Sequence, residues 1–288
     1  MTFETSILDQ GVSAYLAAQE AQVPDLKSGV EKRVLWAGEP EVQTDQVLLY
    51  IHGFSATSEE IRPVPDEVAQ AMGANLVFAR LTGHGITGEA LARATLDAWM
   101  QDMDEALAVA RKVGKRITVM ATSTGCTMTT LALAAGLGTG VERVIFVAPN
   151  FQVKQKAAVM LTWPLVEIWG PWVGGKTHGF DPVTEDQIYF GTPEYPFAAL
   201  LPMAQAVKAA RSVDYAALKI PALFLFDDGD EIVDSKRTRQ VAKIWGADLH
   251  VVDSDGTENP TRHVIAGRLS APSMTEQVVS KIKEWMEI

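Results

Sequence analysis

Residues 116–136 read RITVMATSTGCTMTTLALAAG: a β-branched run, a knot of small residues around one serine, then a helical run. Ala121 and Gly125 stand two places before and two after Ser123. Small side chains there permit a sharp strand-to-helix turn, because anything larger would strike the neighbouring strand or helix. A serine at the apex of such a turn is held in a strained conformation with its hydroxyl projecting above the sheet. The pentapeptide is common by itself. Its place between a buried strand and a helix carries the inference.

Outward from this turn, short aliphatic runs recur: QVLLYIH (46–52), ANLVFAR (74–80), ERVIFVA (142–148), PALFLFDD (221–228) and ADLHVVD (247–253). Each fits a strand buried on both faces. Between them Leu96, Trp99, Met103, Leu107 and Ala110 recur at helical spacing. Ser273 to Glu276 has the form of a capping box opening a last helix that carries Val278, Val279, Ile282 and Trp285 on one face. A helical pattern also runs from about Ile7 to Ala21. This alternation predicts an α/β domain, a mostly parallel central sheet flanked by helices. One interval breaks the rhythm. Residues 152–215 show no clear strand, and Trp163, Trp169, Trp172, Phe180, Tyr189, Phe190, Tyr195 and Phe197 crowd among Pro and Gly. Such a length is too great for a plain connection and predicts an inserted helical cap, with residues 1–151 and 216–288 as the core.

The 288 residues suffice for a substantial core, and an apolar share of 47% with 21% charged residues is ordinary for a globular chain. No run of apolar residues is long enough to span a bilayer, so no stable membrane insertion is expected. A formal charge of −11 repels phosphate backbones and anionic lipid, which argues against a nucleic-acid partner. The N-terminal MTFETSILDQ lacks the basic start and apolar run of a secretory signal, and the single Cys126 cannot form an internal disulfide. A cytoplasmic location is the expectation.

A serine hydroxyl is a poor nucleophile near neutral pH, so it needs a base in hydrogen-bond reach and a third group to orient that base. Downstream, the turn after PALFLF offers Asp227, Asp228, Asp230 and Asp234, carboxylates at a strand's C-terminal end where sites of open α/β sheets assemble. After ADLHVVD a loop leads to His263. The order serine, aspartate, histidine then matches one known arrangement of such a triad.

With these segments in hand, the chain resembles the α/β-hydrolase superfamily, and within it the capped carboxylesterases and monoacylglycerol lipases. The matching stretches are His52-Gly53-Phe54, Arg80-Leu81-Thr82-Gly83-His84-Gly85, the elbow at 121–125, Asp230-Glu231-Ile232-Val233, and His263, in the family's order over residues 46–267. The resemblance implies Ser123 as nucleophile, Asp230 as orienting acid and His263 as base. It further implies the backbone N–H groups of Phe54 and Thr124 as oxyanion hole. Ala121 stands where the family commonly has the first elbow glycine. The reaction it implies is cleavage of a small apolar or acyl ester through an acyl-enzyme, with no cofactor and no metal. The alternatives are thioester, amide or carbon–carbon cleavage by the same triad, or a silent ligand-binding protein.

Other candidates have plainer readings. Of the 5 histidines, His52 and His84 fall in HG and GHG turns and should hold loops around the oxyanion hole, His250 falls in a strand run as a core residue, and His178 falls in the cap, expected as an exposed loop residue with substrate contact as the alternative. They lack metal-ligand spacing. Cys126 is expected to be a small buried residue, and the G-L-G-T-G run at 136–140 a helix-to-strand turn, since it follows a helix where a phosphate loop would open one. The aromatic residues Trp163, Trp169, Tyr189 and Phe190 are candidates to line an acyl pocket.

Overall fold

The computed structural model describes residues 3–288. Its centre is a sheet of seven strands: β1 (Arg33–Leu35), β2 (Thr44–Ile51), β3 (Asn75–Phe78), β4 (Gly114–Thr122), β5 (Val141–Val147), β8 (Ala222–Phe226) and β9 (Asp248–Val251). They lie in the order β1-β3-β2-β4-β5-β8-β9. All neighbours run parallel except β1, which pairs antiparallel with β3 at one edge. The remaining two strands, β6 (Thr177–Gly179) and β7 (Glu194–Pro196), form a separate small hairpin.

Two-residue alternation along the central strands divides the core into two layers. Val47, Leu49 and Ile51 of β2 face one layer, shared with α1 (Val12–Glu20), α4 (Leu96–Val113), α5 (Thr124–Ala134) and α9 (Ser235–Trp245). Leu48 and Tyr50 face the other, closed by α2 (Val64–Met72) and α10 (Thr275–Met286). Every residue of β8 is therefore buried, as expected of a parallel strand covered on both sides. Between β3 and β4 a short α3 (Gly88–Ala92) precedes α4, whose Trp99, Met103 and Leu107 reach the core on one stripe.

From β5 to β8 the chain leaves the sheet through a 3₁₀ turn (Lys156–Thr162), α6 (Val166–Gly174), β6, α7 (Glu185–Phe190), β7 and α8 (Leu200–Ala210). Here the expectation of no strand is corrected. Three residues on each side suffice for the hairpin, too short a run to show alternation in the sequence. His178 lies on this hairpin, half-buried with its ring 5.6 Å from that of Phe197, so it is not an exposed loop residue.

Three further expectations need correction. β9 is half-open instead of buried on both faces, because it is the sheet's edge, and His250 on it is only partly covered. The last helix opens at Thr275 after a 3₁₀ turn at Pro272–Met274. Ser273 makes no capping contact there: its hydroxyl donates to Glu258 (2.8 Å). Lastly, the first ten residues hold a 3₁₀ turn (Thr5–Gln10) ahead of α1, broken at Gly11, in place of one helix.

Candidate active site

β4 ends at Thr122 and α5 starts at Thr124, leaving Ser123 alone between them with φ +50° and ψ −115°. A non-glycine residue is strained at positive φ, and here the surroundings hold it there. The Ser123 N–H donates to Val147 O (3.0 Å), while its carbonyl accepts from Cys126 N–H (3.0 Å) and Asn150 N–H (3.1 Å). Gly125 has no alternative: a Cβ there would run into the carbonyl oxygens of Ile51 and His52. Cys126 is fully buried and donates to Ala121 O (3.1 Å), which accounts for it as a core residue.

The loop after β8 brings Asp230 under His263. Asp230 is buried, and its Oδ1 accepts the N–H groups of Ile232 (2.7 Å) and Val233 (2.9 Å). Its Oδ2 accepts from His263 Nδ1 at 2.7 Å. On the far side of the ring, Nε2 is 2.9 Å from Ser123 Oγ. With Nδ1–H committed to Asp230, Nε2 is left as the acceptor of the Ser123 proton. Burial pulls the His263 pKa down, but the Asp230 carboxylate, and behind it Glu60, raise it above the ordinary histidine value on balance.

The neighbouring aspartates are occupied elsewhere. Asp227 is held by both Arg262 (2.8 and 3.0 Å) and Ser254 (2.6 Å), and although burial works against its charge, these donors keep its carboxyl below the usual range. Asp228 pairs with Arg239, and Asp234 accepts from Lys236 N–H at the start of α9. The Asp227–Arg262 pair ties the residue before His263 to the end of β8. Arg262 is itself at φ +55°, so that pair holds a strained step of the loop.

Phe54 N–H and Thr124 N–H meet no acceptor among the described residues. The Phe54 ring is wedged against Tyr195 (5.2 Å), His84 (6.1 Å) and Trp99 (6.4 Å), which fixes its backbone. Behind it His52 is fully buried: its Nδ1–H donates to Gly53 O (2.8 Å) and its Nε2 accepts from Leu81 N–H (3.0 Å). Burial pushes its pKa down to about 4, so the ring is a neutral brace between two loops. His84, also buried, packs against it with the rings tilted at 57° and centroids 4.7 Å apart, and donates to Leu81 O.

Two features had no signal in the sequence. Glu60 accepts from Gly53 N–H at 2.8 Å and from Tyr50 Oη at 3.2 Å, and burial pushes its pKa up to about 7. A cavity of about 220 Å³ also lies between residues 152–162 and α8. It touches the site at two points. Lys154 Nζ, on its wall, donates to Asp230 O (2.7 Å), and Met203 Sδ is 3.7 Å from Asn150 Nδ2, which is 3.3 Å from Thr124 Oγ1. Its lining is mixed: Val153, Ala158, Val159, Leu161 and Val207 supply apolar surface, and Lys154, Lys156, Lys208 and Arg211 charged side chains.

The aromatic candidates are not part of that wall. Trp163 is 53% exposed and pairs with Trp169 at 6.3 Å, whereas Tyr189 is 42% exposed and packs edge-on to Phe190, which carries Arg268 over its face. No acidic or histidine cluster suited to a metal occurs among the described residues, and no helix among them is long and apolar enough to cross a membrane.

Residues 42–256 match the family described as serine aminopeptidase, S33. The chain belongs to this family of α/β hydrolases. Among curated proteins, none matches it. Solved structures similar to this S33-family chain include one from work on the metagenome-derived lipolytic enzymes LipS and LipT, with 17% identity, 91% of this chain and 99% of the other covered, and TM-score 0.72. A soluble variant of the Saccharomyces cerevisiae monoglyceride lipase with a substrate analogue is 16% identical over 92% of this chain and 95% of its own, TM-score 0.65. The Paleococcus ferrophilus monoacylglycerol lipase is 14% identical over 89% and 98%, TM-score 0.62. At such identities the likeness speaks for the α/β-hydrolase fold.

Proposed function

We propose that this S33-family hydrolase cleaves carboxylic esters through an acyl-enzyme on Ser123. The observation that carries the reading is the unbroken relay from Asp230 through His263 to Ser123, at 2.7 and 2.9 Å. In it His263 Nε2 takes the hydroxyl proton as Ser123 Oγ attacks the ester carbonyl. The N–H groups of Phe54 and Thr124 receive the charge that develops on the carbonyl oxygen, each such donor being worth about 3 kcal/mol in a preorganised site. Collapse expels the alcohol, protonated by His263, and a water activated by the same imidazole then releases the acid. Asp230 holds the ring in the working tautomer and balances the imidazolium.

In this reading residues 152–215 are the cap, and the cavity beside Asp230 and Asn150 accepts the acyl chain along its apolar residues Val153, Ala158, Val159, Leu161 and Val207. Lipolytic names among the similar structures agree with ester substrates. Nitrophenyl esters of graded chain length test it, with aminoacyl nitroanilides alongside to register amide cleavage. Ser123→Ala should lose at least about a thousandfold in kcat on esters while remaining folded. Equal turnover in wild type and variant would refute the mechanism, and faster nitroanilide cleavage would replace the substrate class.

A further inference from the structure

Glu59 and Glu60 are adjacent in the sequence and differ completely in company. Glu59 is buried among three cations, Arg33 (3.0 Å), Arg62 (2.8 Å) and Arg268 (3.0 Å). Glu60 has no cation within 4.0 Å among the described residues. Its side chain turns instead toward the site. A Cβ built on Gly53 would lie 2.7 Å from Glu60 Oε1 and 3.2 Å from Ser123 Cβ, so only a glycine's width separates the carboxyl from the serine. An uncompensated carboxyl beside a reactive serine is costly, and a backbone N–H does not need one: a carbonyl would satisfy it.

We propose that Glu60 is a positioning residue of the Ser123 site, anchoring Gly53 at the root of the oxyanion strand and supplying, with Asp230, a second negative charge toward the His263 imidazolium. This rests on the ester-hydrolase reading above. Geometrically, the Gly53 N–H to Glu60 bond (2.8 Å) fixes the His52–Gly53 peptide, one step before the peptide that carries the Phe54 N–H. The Tyr50 hydroxyl links Glu60 (3.2 Å) to Thr122 Oγ1 (3.0 Å), the residue before Ser123. One carboxylate thereby braces both sides of the proposed oxyanion hole.

The titratable groups facing Glu60 are few. Tyr50 from β2 and Cys126 from α5 are both held well above their ordinary pKa by burial and stay neutral. His263 is the remaining one, and the attraction is mutual: its charge lowers the Glu60 pKa while Glu60 raises that of His263. Burial outweighs this for Glu60, leaving its carboxyl at about 7. Two ionisable groups that favour each other's charge lose their protons in two separated steps that belong to the pair. Neutral His263, the form able to accept the serine proton, therefore accumulates over a broad interval of pH.

Glu60→Gln separates charge from scaffolding, since its amide oxygen still accepts from Gly53. The acid limb of kcat/KM against pH should become a single ionisation and move at least about half a unit toward lower pH, because the imidazolium loses a counter-charge. At pH 8, kcat should fall about tenfold with KM unchanged, the missing charge being one that stabilises only the transition state. A second reading needs neither turnover nor a substitution at position 60: in Ser123→Ala, the ring proton of His263 followed by NMR should titrate in two steps. A Glu60→Gln limb with wild-type midpoint and shape, or a one-step His263 titration, would overturn the proposal. Activity lost in Ser123→Ala while Glu60→Gln keeps the wild-type profile would refute Glu60's role and leave the hydrolase reading standing. Activity retained in Ser123→Ala would refute the reading itself.

Discussion

Among four aspartates in eight residues, position in a hydrogen-bond network decides what each does. Asp230 alone of the four meets His263, at 2.7 Å, and the others are engaged by Arg262, Arg239 and the first turn of α9. From the sequence these were alternatives, separated only by resemblance, because carboxylate chemistry is identical until partners are known. Glu60 was wholly illegible: it stands in a loop, in no motif, and its consequence arises from a backbone N–H and a tyrosine reached through the fold. Its energetics make a prediction. A carboxyl whose pKa is raised on folding from 4.5 to about 7 favours the folded state when protonated, so that contribution is present below pH 4.5 and is lost as pH rises through 7. Above pH 7 the ionised group costs on the order of 2 kcal/mol, once the partial solvent contact of its side chain is allowed for. Glu60→Gln should thus unfold no earlier than wild type at pH 8, and lose that advantage near pH 4. A variant clearly less stable at pH 8 would contradict this account of the buried charge.

Elements that bury one periodic face were legible, and those defined by local chemistry were not. The long amphipathic α4 and the fully buried β8 follow from their apolar spacing, since burial and pattern are the same fact there. The hairpin of β6 and β7, three residues a side, leaves no period to read, and α10 begins two residues after the expected cap because Ser273 found Glu258 instead. The aromatic candidates of the 152–215 segment and the cavity lie on different residues. Trp163 and Tyr189 are largely outward, while the cavity next to Asn150 is walled by smaller residues of the Lys156–Thr162 turn and α8. Ala158, half-buried on that turn, is where the pocket can be narrowed. Ala158→Phe should reduce kcat/KM on a nitrophenyl octanoate about tenfold or more and leave the acetate nearly unchanged, as expected when the pocket's apolar stretch loses room for several methylenes. An unaltered chain-length profile would place the acyl chain elsewhere.

At the scale of the molecule, the sheet carries residues far apart in the chain to the C-terminal ends of its parallel strands. Ser123 stands at the end of β4, Asp230 beyond β8 and His263 beyond β9, positions 107 and 140 residues from the serine, yet linked by bonds of 2.7 and 2.9 Å. That order was readable because a parallel α/β sheet delivers every strand's C-terminal end to the same side, so motifs after successive strands must meet. Strand β1 escaped, being three residues long and so without the continuous apolar run that marked the others, whereas β9 was read within ADLHVVD and only its half-open edge was not. The central claim is that this convergence makes Ser123 a nucleophile, and a fluorophosphonate tests it most directly by trapping the attacking atom. Peptide mass spectrometry of the labelled protein should find one phosphonylated residue, Ser123, with labelling abolished in Ser123→Ala and strongly slowed in His263→Ala. An unlabelled Ser123 in active protein, or label retained at another residue after Ser123→Ala, would contradict it.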